Sequence, residues 1–308
     1  MLRKILVGVD GTPSARDAVV LARALAAADE PDVLLVGAYN DPLLPFPPGL
    51  RRDVHLGRDV ERLLLEVRGE LAPSARTHVR ADLSPGRALC HEIRDEHADV
   101  LVLGSSRRAV DGHAAVGRTG RQVLHGAACA VALAARGIGG GDGSFALRRV
   151  VVGVDRSPES AAALALARAL VGAAGAQLNA VGVVDDRLPA TIAPAGMAIE
   201  LVQWDELVGA HREQTQQLLA EVVERAPGLA TELRIGEPAE ELAAAAADAD
   251  LLVLGSRRWG PLSRLVVGST GEELVRGAPC SLLLVPRPAD ERPAGTTTTV
   301  DPARPSKS

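Results

Sequence analysis

Apolar residues follow two rhythms along this chain. Short, nearly unbroken apolar runs, such as KILVGV at 4–9 and DVLVLG at 99–104, alternate with longer segments of helical spacing, as with Ala18, Leu21, Ala22 and Leu25. The first rhythm suits a strand covered on both faces, and the second a helix with one buried side. Through residue 134 the pattern predicts strands at 4–9, 33–39, 76–82 and 99–104. Helices are expected from Pro13, around 53–71 and over 86–97, with a last helix and strand within about 119–134. Thr12 as N-cap and Pro13 at the first helical position mark a helix start. The stretch DPLLPFPPGL at 41–50 reads as irregular.

The same order then begins again, with strands near 149–154, 177–184, 229–235, 250–255 and 280–285 and a second helix start at Ser157-Pro158. The repetition is literal in three blocks. ILVGVDGTPS at 5–14 answers VVVGVDRSPE at 150–159, LVLGSSRR at 101–108 answers LVLGSRRW at 252–259, and GRTGRQVLHGAACAVALA at 117–134 answers GSTGEELVRGAPCSLLLV at 268–285. Blocks matching in order mean two copies of one unit. Strands alternating with helices give an α/β fold: two tandem doubly wound (Rossmann-like) domains, each a five-stranded parallel sheet flanked by helices. The expected limits are 1–136 for the first domain, a Gly-rich linker over 137–147, 148–287 for the second domain and a disordered tail over 288–308. Within the linker, RGIGGGDGS at 136–144 reads as flexible.

Composition narrows the function. The 308 residues suffice for two cores. The net charge of −5 carries no basic block, and only Tyr39, Phe46, Phe145, Trp204 and Trp259 are aromatic, so nucleic-acid binding is disfavoured. Of three cysteines, Cys129 and Cys280 occupy equivalent places and read as small buried side chains in a reducing compartment. The N-terminus lacks the apolar core and cleavage site of a signal peptide, and the alanine run 243–247 is too short to span a bilayer. A cytoplasmic protein without a membrane partner is expected.

Candidate chemistry gathers at the carboxyl ends of the strands, where open α/β sheets bind ligands. Asp155 in VGVDRS, with its twin Asp10 in VGVDGT, reads either as a helix-start cap or as a carboxylate free to meet a ribose or base. Because Thr12 and Ser157 are placed to cap, the second reading is preferred. After the fourth strand of the second copy come Gly255, Gly260 and Gly268-Ser269-Thr270. Glycine admits an anion to the backbone, and a helix opening at Ser269 favours phosphate. The alternative for this loop is a tight turn with an N-cap.

These features resemble the tandem form of the universal stress protein (UspA-like) family over almost the whole chain. The family's ATP signature is Gly, two residues, Gly, nine residues, then Gly followed by Ser or Thr. Gly255, Gly268 and Ser269 match it; Arg258 replaces the middle glycine, and Gly260 stands two residues later to take its role. The resemblance implies ATP, with Mg, as ligand. It also implies adenosine contacts from Asp155 and from the backbone near Val183. The weaker first-copy equivalents are Asp10, Ala38, Gly104, Gly117 and Thr119. There Arg107 replaces the middle glycine, Arg118 holds the Ser/Thr position and Asp111 adds a negative charge, so the first site is expected to be degenerate.

The paired arginines 107/108 and 257/258 read equally as phosphate grips or solvated loop charges, and Trp259 as a surface or interface residue. His91 and His97, six apart, share no helix face, so no metal site is expected. Pro261 stands where a P-loop needs lysine, no dinucleotide fingerprint or nucleophile elbow occurs, and no residue is placed as a catalytic base. The expected function is a nucleotide-responsive stress or regulatory protein, not an enzyme, with slow ATP hydrolysis left open. The alternative is an interaction or scaffold member without nucleotide. The copies are expected to pack as a pseudo-dimer. Homo-oligomers through the family's last strand and an unidentified protein partner are further expectations.

Overall fold

The computed structural model describes residues 2–27, 31–41, 54–140, 144–187, 201–226, 228–259, 264–266 and 268–287. Most of the expected proline-rich stretch at 41–50, Gly260, and the tail over 288–308 lie outside these. In the first half the strands are β1 (Lys4–Val9), β2 (Asp32–Asn40), β3 (Arg76–Asp82), β4 (Val100–Gly104) and β5 (Ala130–Ala134). The helices are α1 (Pro13–Ala26), α2 (Val54–Leu71), α3 (Pro85–Asp95) and α4 (Arg118–Leu124). The second half runs β6 (Arg149–Gly153), α5 (Pro158–Ala174), β7 (Gln177–Val184), α6 (Leu201–Arg225), β8 (Ala230–Ile235), α7 (Pro238–Ala245), β9 (Leu251–Trp259), β10 (Arg264–Val266), α8 (Ser269–Gly277) and β11 (Ser281–Pro286).

Ten of these strands form one sheet in the order β3-β2-β1-β4-β5-β11-β9-β6-β7-β8. Within each half all neighbours are parallel. The halves meet where β5 and β11 pair antiparallel, Leu133 opposite Leu282 and Val131 opposite Leu284. The pseudo-dimer is therefore a continuous sheet with a local two-fold at its centre. This corrects one expectation. The last strands are already paired with each other, so neither is open for a homo-oligomer of that kind.

The two-residue period of the strands sorts the core into two layers. Ile5, Val7, Val102, Ala132, Val152 and Leu283 face α1, α2, α5 and α6, while Leu6, Leu101, Val131, Leu252 and Leu284 face α3, α4, α7 and α8. Each layer runs across both halves. A further contact crosses the centre: Ala114 and Ala278 exchange hydrogen bonds of 2.8 and 2.9 Å, and Val116 N–H donates to Val275 C=O at 2.7 Å.

The linker departs from the sequence reading. Residues 136–140 are tied down: the buried carboxylate of Asp17 accepts from Gly137 N–H (3.0 Å) and Gly139 N–H (2.7 Å), and Ile138 packs on the core. Gly137 adopts φ +89°, which a side chain would strain. An acidic partner on α1, far away in sequence, overrides the flexibility that the glycines alone suggest.

Candidate functional site

In the second half, β6 and β7 end beside Leu254 and Gly255 of β9, and a cavity of about 360 Å³ opens there. Asp155, Val183, Gly255, Gly268, Ser269 and Thr270 all line it. The structure thus gathers from four chain segments every described residue of the expected second-copy site; Gly260 lies outside the described residues.

The turn after β6 is fixed by its own hydrogen bonds. Asp155 Oδ1 accepts from the N–H of Ser157 (2.9 Å) and from its hydroxyl (2.5 Å). Ser157 Oγ accepts from Ser160 N–H (3.1 Å), and Ser160 Oγ from Asp155 N–H (2.9 Å). Asp155 is therefore half engaged, and the reading of a wholly free carboxylate is corrected: Oδ1 closes the turn. Only Oδ2 lacks a hydrogen bond among the described residues. The twin differs in detail. Thr12 occupies the N-cap position without a side-chain cap bond; its hydroxyl donates instead to Asp10 Oδ1 at 2.6 Å.

At the opposite wall the backbone of Val183 is available. Val154 N–H donates to Val181 C=O and Gly236 N–H to Val184 C=O. Successive residues of a strand bond to opposite neighbours, so the N–H and C=O of Val183 turn to the β6 side. The last β6–β7 rung is Gly153 with Val181, so that donor and acceptor look past the end of β6.

One end of the cavity is built from the start of α8. Gly268 is its N-cap and supplies no side-chain cap, leaving the first-turn N–H groups toward the cavity that Ser269, Thr270 and Gly271 line. The two signature glycines differ in what they do. A Cβ on Gly255 would stand 2.5 Å from the carbonyl carbon of Glu159, so this glycine lets α5 seat on β9. A Cβ on Gly268 would meet nothing within 4 Å, at an ordinary φ of −66°. Packing demands the first glycine; among the described residues, open space surrounds the second.

The segment between them is not the open loop read from sequence. β9 continues to Trp259 and pairs antiparallel with β10, Trp259 opposite Arg264 and Arg257 opposite Val266. The β-competent residues on either side of 260–263 make a hairpin where glycine spacing alone suggested a loop.

The first-half equivalent is smaller, about 160 Å³, lined by Asp10, Ala38, Gly104 and Thr119 but not by Gly117. Its loop is committed elsewhere. Ser105 Oγ donates to Ala134 C=O at 2.5 Å and accepts from Ala115 N–H at 3.1 Å, and residues 114–116 bind the second half as described. Asp111, expected to repel an anion, instead pairs with Arg136 at 2.8 Å. Arg107, Arg108 and Arg118 are exposed; the side chains of Arg257, Arg258 and Trp259 lie outside what is described.

Three polar side chains that line the second cavity escaped the sequence reading: Glu159, Ser160 and His211. His211 sits one turn before Thr215, whose methyl abuts Gly182. In the first half Val60 abuts Gly37 in the same way, which makes Leu56 the counterpart of His211. Matching the two helices by their packing on these glycines would have found the histidine.

The other titratable groups are structural. His78 and Arg80 hold the buried Glu92, and His91 meets Asp82. Among the described residues no group of three ligand-type side chains could hold a metal, and no helix is long and apolar enough to cross a membrane. Burial pushes the Cys129 and Cys280 thiols up to about 12, as their expected core positions require.

The fold and crevice define a class: tandem α/β proteins with two doubly wound halves and a ligand-type cleft at the strand ends. The family model of the universal stress protein family matches residues 1–134 and again 146–286, and the chain belongs to that family. A universal stress protein from Archaeoglobus fulgidus shares the fold at TM-score 0.62 and 16% identity, over 94% of this chain and 100% of that one. A putative universal stress protein from Pseudomonas aeruginosa does so at TM-score 0.60 and 14% identity, over 92% and 93%. No curated protein matches closely enough to count as a relative.

Proposed function

We propose that this protein is a cytoplasmic, nucleotide-responsive regulatory protein that binds ATP, carried with Mg, in the second half. The observation that carries this reading is the convergence of Asp155, Val183, Gly268, Ser269 and Thr270 on one cavity of about 360 Å³, against about 160 Å³ in the first half. The Val183 N–H and C=O suit one edge of an adenine. Asp155 Oδ2 suits a ribose hydroxyl. The uncapped N–H groups of α8 and the hydroxyls of Ser269 and Thr270 suit phosphate oxygens. Mg would ride on the phosphates, since no cluster is built for it among the described residues. We read the site as one for binding rather than turnover, the nucleotide acting by favouring one conformation of the chain over another.

The pairing of 257–259 with 264–266 favours the second reading, a nucleotide-free interaction module, because a ladder stands where an open glycine loop was expected. Calorimetric titration of nucleotide-free protein with Mg-ATP separates the two. One site per chain is expected. No heat from folded protein at several temperatures would establish the module instead, and two sites would mean that the first half also binds.

A further inference from the structure

The pairing of β5 with β11 leaves β3 and β8 as the outer strands of the sheet. Both carry charges, Arg76, His78, Arg80 and Asp82 on β3 and Glu232 and Arg234 on β8, which discourages edge-to-edge association. The helical layer of α3, α4, α8 and α7 has a different character. Its two halves are related by the local two-fold and carry opposite charge.

On the first half, Arg87 and Arg94 of α3, Arg118 and Arg121 of α4, and His125 just beyond are all exposed. A groove of about 410 Å³ between α3 and α4 is lined by Arg87, Arg94, Gln122 and His125. On the second half, Glu240 of α7, Glu272 and Glu273 of α8, and Asp248 are exposed, with Arg276 as the cation among them. The helix starts set the correspondence, Pro85 with Pro238 and Gly117 with Gly268. At two twin positions the sign is inverted: Arg87 against Glu240, and Arg121 against Glu272. Arg87 is held by Asp82 at 3.1 Å, Asp95 by Arg80, and Asp248 stands 3.9 Å from Arg149. Arg94, Arg118, Arg121, Glu240, Glu272 and Glu273 have no ion-pair partner among the described residues.

We propose that two copies of this chain associate face to face through this layer, the α3/α4 half of each lying on the α8/α7 half of the other. A rotation about an axis parallel to the strands makes both contacts at once. It gives a closed, isologous dimer in which each basic half meets an acidic one. A polyanion such as nucleic acid fits less well, because the carboxylates of α7 and α8 flank the basic half on the same face. The inference is independent of nucleotide binding.

The test is sedimentation velocity of the full chain across a salt series. A dimer is expected at low ionic strength, dissociating toward 1 M salt, where screening shortens to about 3 Å. The double variant Arg94→Glu/Arg121→Glu should be monomeric, as should Glu240→Arg/Glu273→Arg. A one-to-one mixture of the two should sediment as a heterodimer. These side chains are exposed and unpaired, so thermal melts should match wild type, and each variant tests the interface independently. A wild type monomeric at low salt, or a dimer that both variants keep, would overturn the proposal. So would a mixture that fails to associate, or a wild type that binds nucleic acid through these arginines without self-association.

Discussion

The two signature glycines of the second half should separate under mutation. At Gly255 an added Cβ would stand 2.5 Å from Glu159 C, 2.7 Å from Glu159 O and 2.7 Å from Ser160 N. Carbon contacts settle near about 3.5 Å, so the start of α5 must retreat by about 1 Å. These are backbone atoms inside a turn closed by Asp155, Ser157 and Ser160, and no side chain can swing aside. Overpacking of this kind costs about 1–3 kcal/mol, and the fixed turn puts Gly255→Ala in the upper half of that range. Urea unfolding followed by circular dichroism should show the midpoint falling by about 1 M. Gly268→Ala, facing open space, should change stability by less than about 0.5 kcal/mol. Gly268→Arg should be equally stable yet give no heat with Mg-ATP, because its side chain fills the α8 end of the cavity. A neutral Gly255→Ala beside a destabilising Gly268→Ala would refute this division of roles. Undiminished ATP binding by a folded Gly268→Arg would refute the site.

Other outcomes follow from groups outside the cavity. Asp17→Ala leaves the N–H groups of Gly137 and Gly139 without their acceptor, so it should cost about 1–3 kcal/mol in urea unfolding and open residues 137–140 to limited proteolysis. Cys129 and Cys280, with thiols pushed up to about 12 by burial, should resist a thiol reagent at pH 8 in the native protein, and all three cysteines should react in guanidinium. Arg76 beside Asp32 holds that carboxyl below its ordinary value. A depressed carboxylate stabilises the fold above its unfolded pKa and loses that contribution as pH falls through the folded one. The stability gap between wild type and Asp32→Asn should therefore be present at pH 7, stay under about 1 kcal/mol because the pair is half-exposed, and vanish on acidification below the usual carboxylate range.

The repeat made the fold legible before any coordinates. Apolar runs covered on both faces gave β1, β4, β7 and β11 nearly to the residue, since such strands carry their own signal. The hairpin of β9 and β10 was not legible: glycine spacing suggests an open loop, while pairing is decided by which segments can reach each other. The order at 136–140 was hidden for the same reason, because Asp17 lies 120 residues from Gly137. Cavity-lining residues supplied by strand ends and a helix start, Asp155, Val183 and Ser269, were accessible through their fixed place in the repeat. His211 was not, because its position depends on how α6 packs across Gly182. Sequence also gave two glycines of one signature a single role, where the structure divides them.

The inequality of the two halves has a cause in the way they join. Ser105 to Val116 is the first-half counterpart of the segment that leads to α8. There it bonds to Ala134 through Ser105 and reaches Val275 and Ala278 of the second half through Ala114 and Val116. This segment, held by both halves, borders the smaller cavity. The contact ends on the last turn of α8, whose first turn lines the larger cavity. One helix of nine residues therefore joins the inter-half contact to one end of the larger cavity. The smaller cavity of the first half and the larger one of the second are then two consequences of one arrangement. Replacing Val116 by Pro would test it. That change removes the 2.7 Å bond to Val275, and it should weaken Mg-ATP binding in the second half although residue 116 does not line that cavity. Unchanged affinity in a folded variant would show that the two ends of α8 act independently.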